Sequence, residues 1–180
     1  MRLYRVPPLA IVLAGAALAQ QEGMIPRWQV EELSQGVVQN MATARKVVVQ
    51  LRPQEWVQDG APEAYIDQHR ALLHEMEQVS LAAQALGRDP ERLTYAMDTL
   101  LWLDRTDALM GSIAAGARQY YNAAVAELLD SARNRNSDGI ATVKQYLRQL
   151  AEHLESSMRV AHREAQRCRE AIISEPGDGR

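Results

Sequence analysis

From Arg27 onward, the apolar residues of this chain recur at steps of three and four, which is the period of an α-helix. No stretch alternates apolar and polar residues as a half-buried strand does. The most regular run alternates steps of four and three without interruption and consists of Tyr65, His69, Leu72, Met76, Val79, Ala83 and Leu86. This spacing is typical of helices that pack nearly parallel to their neighbours. The sequence therefore predicts an all-α domain.

Proline, glycine and capping residues divide the pattern into four predicted helices, at Pro26–Leu51, Pro62–Gly87, Pro90–Arg133 and Gly139–Ile173. Pro53 ends the first helix, because the residue before a proline disfavours the helical region. The connector that follows has room for one turn of helix around Trp56. Since only a short connection joins the second and third helices, these two must lie antiparallel. The prediction is an up-down antiparallel four-helix bundle over residues 26–173, between a flexible stretch at 20–25 and a disordered tail at 174–180.

The third predicted helix is too long for its neighbours. It covers about 44 residues, or ~65 Å at 1.5 Å per residue, which is nearly twice the length of the first or second. One solution is a break within GSIAAGA, where Gly111 and Gly116 each cost roughly 1 kcal/mol of helix preference relative to alanine. The other is a continuous helix that projects with the start of the fourth as a hairpin over residues 117–158. The hairpin is the favoured solution; it would expose Leu129 and Tyr146 to a second copy of the chain.

The N-terminal segment has the three regions of a secretory signal peptide. Arg2 and Arg5 precede an apolar run, and Ala17-Leu18-Ala19 forms a small-x-small cleavage site. The apolar run is shorter than the ~20 residues that a membrane-spanning helix needs. We expect a periplasmic or secreted protein that loses residues 1–19 and has no stable membrane insertion afterwards.

Charge and cysteine content narrow the class of protein further. The chain carries a formal net charge of −3, which cleavage takes to −5 because the two arginines of the signal peptide are removed. Domains that bind nucleic acid usually carry a basic excess, so nucleic acid is not an expected partner. Cys168 is the sole cysteine of the sequence, and no intrachain disulfide is therefore available in an oxidising compartment.

His69 interrupts the apolar seam of the second predicted helix, and Asp107 takes a seam position on the third. An antiparallel hairpin that turns near residues 87–89 places the two at one level, within reach of an imidazole–carboxylate hydrogen bond. A buried aspartate favours a histidine partner, because each offsets the desolvation of the other. We interpret the pair as a polar layer that sets the helix register. The alternative is a histidine oriented for ligand binding or proton transfer.

Haem and metal ions are the other candidates for a periplasmic bundle. Met41 and His162 are available as the methionine and late histidine of a non-covalent haem site, although the chain has no phenylalanine to line a porphyrin pocket. Covalent haem attachment is excluded, because no Cys-x-x-Cys-His motif occurs. No His-x-x-x-His or Glu-x-x-His pair places two metal ligands on one helix face. No cofactor and no metal is expected, and the candidate binding residues are His69, Asp107, Met41 and His162.

Arg159, Arg163 and Arg167 form a basic stripe at four-residue steps on the fourth predicted helix. Like charges at this spacing repel, so opposing charges are expected nearby. The predicted register of the third and fourth helices brings acidic side chains to this end, namely Asp98, Asp104 and Asp107. We interpret the stripe as one side of interhelical ion pairs; the alternative is binding of an anionic ligand or surface.

The sequence contains no recognisable nucleophile and no phosphate-binding loop, so no catalytic residue is assigned. We expect an exported, non-enzymatic helical-bundle protein of the bacterial envelope that acts by protein–protein contact. Self-association as a homodimer comes first among these contacts, and another envelope protein second. The alternative function is binding of a small ligand, a metal or haem by a periplasmic bundle.

Overall fold

The computed structural model describes residues 24–174, which form five α-helices that pack against one another and contain no strand. In chain order the helices are α1 (Arg27–Val48), α2 (Pro53–Gln58), α3 (Ala64–Arg88), α4 (Leu93–Tyr120) and α5 (Ala123–Ser174). The predicted all-α class is confirmed. Within this described part of the chain, no helix combines the length and the apolar character needed to cross a membrane. The predicted signal peptide, most of the stretch at 20–25 and all but the first residue of the predicted tail lie outside the described residues.

The connector after α1 is part of the core. Pro53 begins α2, because its fixed φ suits the first turn of a helix. The six residues of this helix bury the side chain of Trp56, which is 1% exposed. Gly60 follows with a φ of 96°, a backbone conformation that glycine adopts without steric penalty. This turn leads the chain into α3 and leaves Trp56 against the bundle.

The long third helix of the prediction is wrong, because the chain breaks at Tyr121 and Asn122. Tyr121 has a φ of −138° and a ψ of −84°, which ends α4. The side-chain oxygen of Asn122 then accepts a hydrogen bond of 2.8 Å from the backbone N–H of Ala124. A short polar side chain that accepts from the second helical N–H in this way acts as an N-cap. α4 therefore has 28 residues, close to the 22 of α1 and the 25 of α3.

Gly111 and Gly116, where a break was the alternative to the favoured hairpin, both lie inside α4. A Cβ atom on Gly116 would come within 2.6 Å of the Tyr65 ring and 3.1 Å of the Trp56 ring. A Cβ atom on Gly111 would come within 2.9 Å of the Arg133 guanidinium. These glycines therefore serve the close approach of neighbouring side chains, and α4 continues through them.

The turn predicted at RNRNSDG is also wrong, because α5 runs through it as one helix of 52 residues, or about 78 Å at 1.5 Å per residue. Polar residues of this segment contact α1. The Asn40 amide nitrogen donates to the side-chain oxygen of Asn136, which is 2% exposed. Arg135 donates to the Asn40 side-chain oxygen over 2.9 Å. These contacts with α1 explain why the segment is polar although it is helical and not a turn.

The projecting hairpin predicted over residues 117–158 is wrong as well. Leu129 and Tyr146 are 0% and 2% exposed, because α5 packs against both α4 and α1. The Tyr146 hydroxyl donates a hydrogen bond of 2.6 Å to the backbone carbonyl of Pro90, and burial raises the pKa of this hydroxyl. The segment that projects is the end of α5, where every residue from Glu155 to Ile173 is exposed.

Candidate functional site

The structure gives His69 and Asp107 different partners. The Nε2 atom of His69 lies 2.8 Å from the backbone carbonyl oxygen of Val48, at the end of α1. The carboxylate of Asp107 accepts two hydrogen bonds from Arg133 of α5, of 3.0 and 3.3 Å. The predicted hydrogen bond between His69 and Asp107 is therefore wrong, and each of the two side chains ties its helix to another.

A shift in the register of α3 and α4 explains the difference. Glu75 of α3 forms an ion pair with Arg105 of α4. Counted from this pair along two antiparallel helices, His69 lies level with Gly111, about one helical turn beyond Asp107. The shift of four residues arises because α3 ends one residue later than predicted, at Arg88, and α4 begins three residues later, at Leu93.

We expect His69→Ala and Asp107→Ala to reduce the free energy of unfolding additively, within about 0.3–0.5 kcal/mol, because residues without shared partners act independently. Asp107→Ala and Arg133→Ala share an ion pair, so their double variant should deviate from additivity by about 0.5–3 kcal/mol. Denaturant unfolding of the single and double variants measures both couplings. A coupling between His69 and Asp107 as large as that between Asp107 and Arg133 would contradict the observed register.

Arg133 is the centre of an ion-pair network that connects α4 to α5. It contacts Asp107 and, at 3.6 Å, Asp130, which also pairs with Arg118. The hydrogen bond to Asp107, assisted by the charge of both carboxylates, raises the pKa of Arg133. The network accounts for Asp107 as a structural residue whose carboxylate is already engaged.

The remaining candidates, Met41 and His162, lie far apart. Met41 is 1% exposed in the core, whereas His162 is on the exposed end of α5, with its Nε2 atom 3.2 Å from the Gln166 side-chain nitrogen. Because Asn40 bonds Asn136, His162 lies roughly 25 residues, or ~38 Å, along α5 from the level of Met41. Met41 and His162 therefore cannot bind one haem iron together. In the described part of the chain, no group of three or more His, Cys, Asp or Glu residues is placed to hold a metal ion.

The exposed end of α5, residues 155–173, is called the α5 extension from here on. The apolar stripe of α5 is buried at Val143 and Leu150, which are 0% and 1% exposed, and it continues past the bundle. Its exposed part is called the extension seam and comprises Met158, Ala161, Ala165, Cys168 and Ile172. Met158 and Ile172 are 72% and 74% exposed. The seam thus continues the apolar face that α5 buries in the bundle, but it lies beyond the bundle and is exposed.

The basic stripe lies on the opposite side of the α5 extension. Arg159, Arg163 and Arg167 are all exposed, and at about 100° per residue they face away from the seam. Their predicted interhelical ion pairs are wrong. Asp104 pairs with Lys144 at 3.4 Å, and Asp107 is engaged with Arg133 of the bundle, so neither reaches the α5 extension.

An open groove of about 640 Å³ lies between α1 and α3. Its lining includes Ser34, Val38, Ala83 and Gly87. The Ser34 hydroxyl is buried and finds no hydrogen-bond partner among the described residues. This groove is the second feature with the chemistry of a contact site, and it contains none of the predicted candidate residues.

Comparisons with known proteins identify no relative of this chain: it matches no family model, no curated protein and no solved structure. The α5 extension was not among the predicted sites, although the regular apolar spacing through Cys168 is a usable sequence signal for it. The sequence does not indicate the point at which the neighbouring helices stop covering that spacing.

Proposed function

We propose that this chain is an exported helical-bundle protein that acts by protein–protein contact through the extension seam. The observation that carries the proposal is the apolar stripe of α5, which is buried up to Leu150 and then exposed over about five further turns, to Ile172. Contiguous apolar surface outside a core marks an interaction site in a monomeric protein. A contact role also requires no catalytic group, in keeping with the structural engagement of His69 and Asp107.

The proposal includes an up-down arrangement of α1, α3, α4 and α5. Two contacts between α1 and α5 support it. The backbone N–H of Ile25, just before α1, donates to the Gln149 side chain over 3.0 Å, while Asn40, further along α1, bonds the earlier residue Asn136 of α5. α1 and α5 therefore run in opposite directions, and α1 begins level with the middle of α5. This explains why no helix among the described residues lies beside the α5 extension.

Photo-crosslinking in cells of the source organism tests the proposal. A photoreactive amino acid at Met158 should form a covalent adduct with another protein molecule, because this position is on the seam. The same amino acid at Arg163, on the opposite face of the same segment, is the matched control and should form little adduct. Absence of a protein adduct at Met158, or equal adducts at the two positions, would contradict contact through the seam.

Export is the second part of the proposal, and it rests on the signal-peptide pattern of residues 1–19. Mass spectrometry of the envelope-localised protein should identify Gln20 as the first residue. Ala19→Arg should block this cleavage, because signal peptidase requires a small residue at the cut. An intact N-terminus on the wild-type envelope protein would contradict removal of this segment.

Binding of a small ligand in the α1–α3 groove is a second candidate function, and the unpartnered, buried Ser34 hydroxyl favours it, because a buried hydroxyl without a partner is costly. Native mass spectrometry of protein purified from its own organism would detect a retained molecule. Val38→Trp would fill the groove and should abolish retention. Apoprotein mass alone would count against this second function.

A further inference from the structure

We infer that the partner of the α5 extension is a second copy of this chain, joined along the extension seam as a parallel, in-register, two-stranded coiled coil. This inference rests on the proposed function and adds the identity and the direction of the partner.

The seam has the heptad spacing of a coiled coil. Met158, Ala165 and Ile172 recur every seven residues, and Ala161 and Cys168 each follow by three. In heptad notation the first set occupies position a and the second position d, the two positions that form the interface between coiled helices. A strict seven-residue repeat predicts a left-handed supercoil with a second helix. All five side chains are exposed in the single chain and therefore available to that helix.

The charges beside the seam select a second copy and a parallel direction. Glu164 takes position g and Arg169 takes position e of the following heptad. In a parallel pair of identical helices, a g residue faces the e residue five positions later on the other helix. Glu164 of each copy then faces Arg169 of the second copy, so two opposite-charge pairs form by symmetry. An antiparallel pair would set g against g and e against e, which brings like charges together.

The basic stripe and Cys168 are both consistent with a parallel pair of α5 extensions. The basic stripe of Arg159, Arg163 and Arg167 faces away from the seam, so that the two stripes of a parallel pair remain in water on opposite sides. Cys168 is exposed and occupies a d position. In a parallel, in-register pair the two Cys168 side chains meet at one level, and they can serve as a reporter of that register.

Sedimentation of the purified full chain tests the inference. Wild type should sediment with twice the mass of one chain. Met158→Glu and Ala165→Glu should halve that mass and leave the bundle with a cooperative unfolding transition, because both positions lie outside the bundle core. Val160→Glu is the matched control: it introduces the same acid at an exposed apolar residue, 42% exposed, away from the seam, and should remain a dimer. A monomeric wild type, or equal dissociation by Val160→Glu, would overturn the inference.

Exchange of the charges at Glu164 and Arg169 tests whether the two helices run parallel. Glu164→Arg and Arg169→Glu should each raise the dissociation constant about tenfold, because two attractive pairs become repulsive. The double exchange should restore the wild-type value, and oxidised glutathione should link Cys168 to Cys168 in wild type but not in Met158→Glu. A double exchange that fails to restore association would overturn the parallel pairing.

The two proposals can fail separately. A monomeric wild type that still forms an adduct at Met158 with a different protein would remove the second copy as the partner and leave the proposed function in place. A monomeric wild type without any adduct at Met158 would remove both.

Discussion

Leu129→Glu is expected to unfold the protein, and not merely to separate two copies. Leu129 is 0% exposed in the main core. Loss of a buried leucine typically costs about 2–5 kcal/mol, and an unpaired carboxylate in its place adds several more. Together these approach the roughly 5–15 kcal/mol by which a native domain is stable. Far-UV circular dichroism should show lost helicity, and denaturant titration should show no cooperative transition.

Leu128→Glu is the matched control for this experiment. Leu128 is the preceding residue of α5, but its side chain is 56% exposed. Surface substitutions of this kind usually change stability by no more than about 0.5 kcal/mol, so Leu128→Glu should unfold at nearly the wild-type midpoint. A folded, monomeric Leu129→Glu would contradict the burial of this part of α5 and would favour a projecting hairpin.

Trp56→Ala is expected to reduce the free energy of unfolding by about 3–5 kcal/mol, the usual cost of removing a buried aromatic side chain. The Trp56 ring packs edge-on to Tyr65 at 5.8 Å between centroids and stacks with Tyr121 at 6.3 Å. These residues belong to α2, α3 and the break between α4 and α5. Loss of the indole should therefore loosen three segments together, and urea unfolding measures the effect.

Trp28→Ala is the corresponding control, because Trp28 is 64% exposed. It removes the same side chain and should change the free energy of unfolding by no more than about 0.5 kcal/mol. Equal effects of the two substitutions would contradict the packing of Trp56 in the core.

Helices with one continuous apolar face and strong end signals could be predicted from the sequence. α1 and α3 follow their predicted faces, because proline and glycine are local signals that act without knowledge of the rest of the fold. The break at Tyr121 and Asn122 has neither residue. Conversely, the polar segment around Asn136 resembles a turn, and its helical structure depends on Asn40, 96 positions away in the chain. At both places, tertiary contacts and not the local sequence determine whether the chain is helical.

The candidate site was less predictable, since it depends on lengths and registers. His69 lies half-buried and contacts the Val48 carbonyl, because a four-residue shift in the register of α3 and α4 separates it from Asp107. The α5 extension depends on where the other helices end relative to α5. That relation follows from the break at Tyr121, which the local sequence does not indicate.

The most direct test of the pairing of two copies along the extension seam uses a spin label on the outer face of the helix. A label on Arg163→Cys, in a Cys168→Ser background, should show dipolar coupling between two labels, because paired helix axes lie about 8–10 Å apart and Arg163 faces away from the seam. The coupling should vanish in Met158→Glu and persist in Val160→Glu. Absence of intermolecular coupling in the labelled protein without further substitution, or coupling that survives Met158→Glu, would contradict the pairing of two copies along the seam.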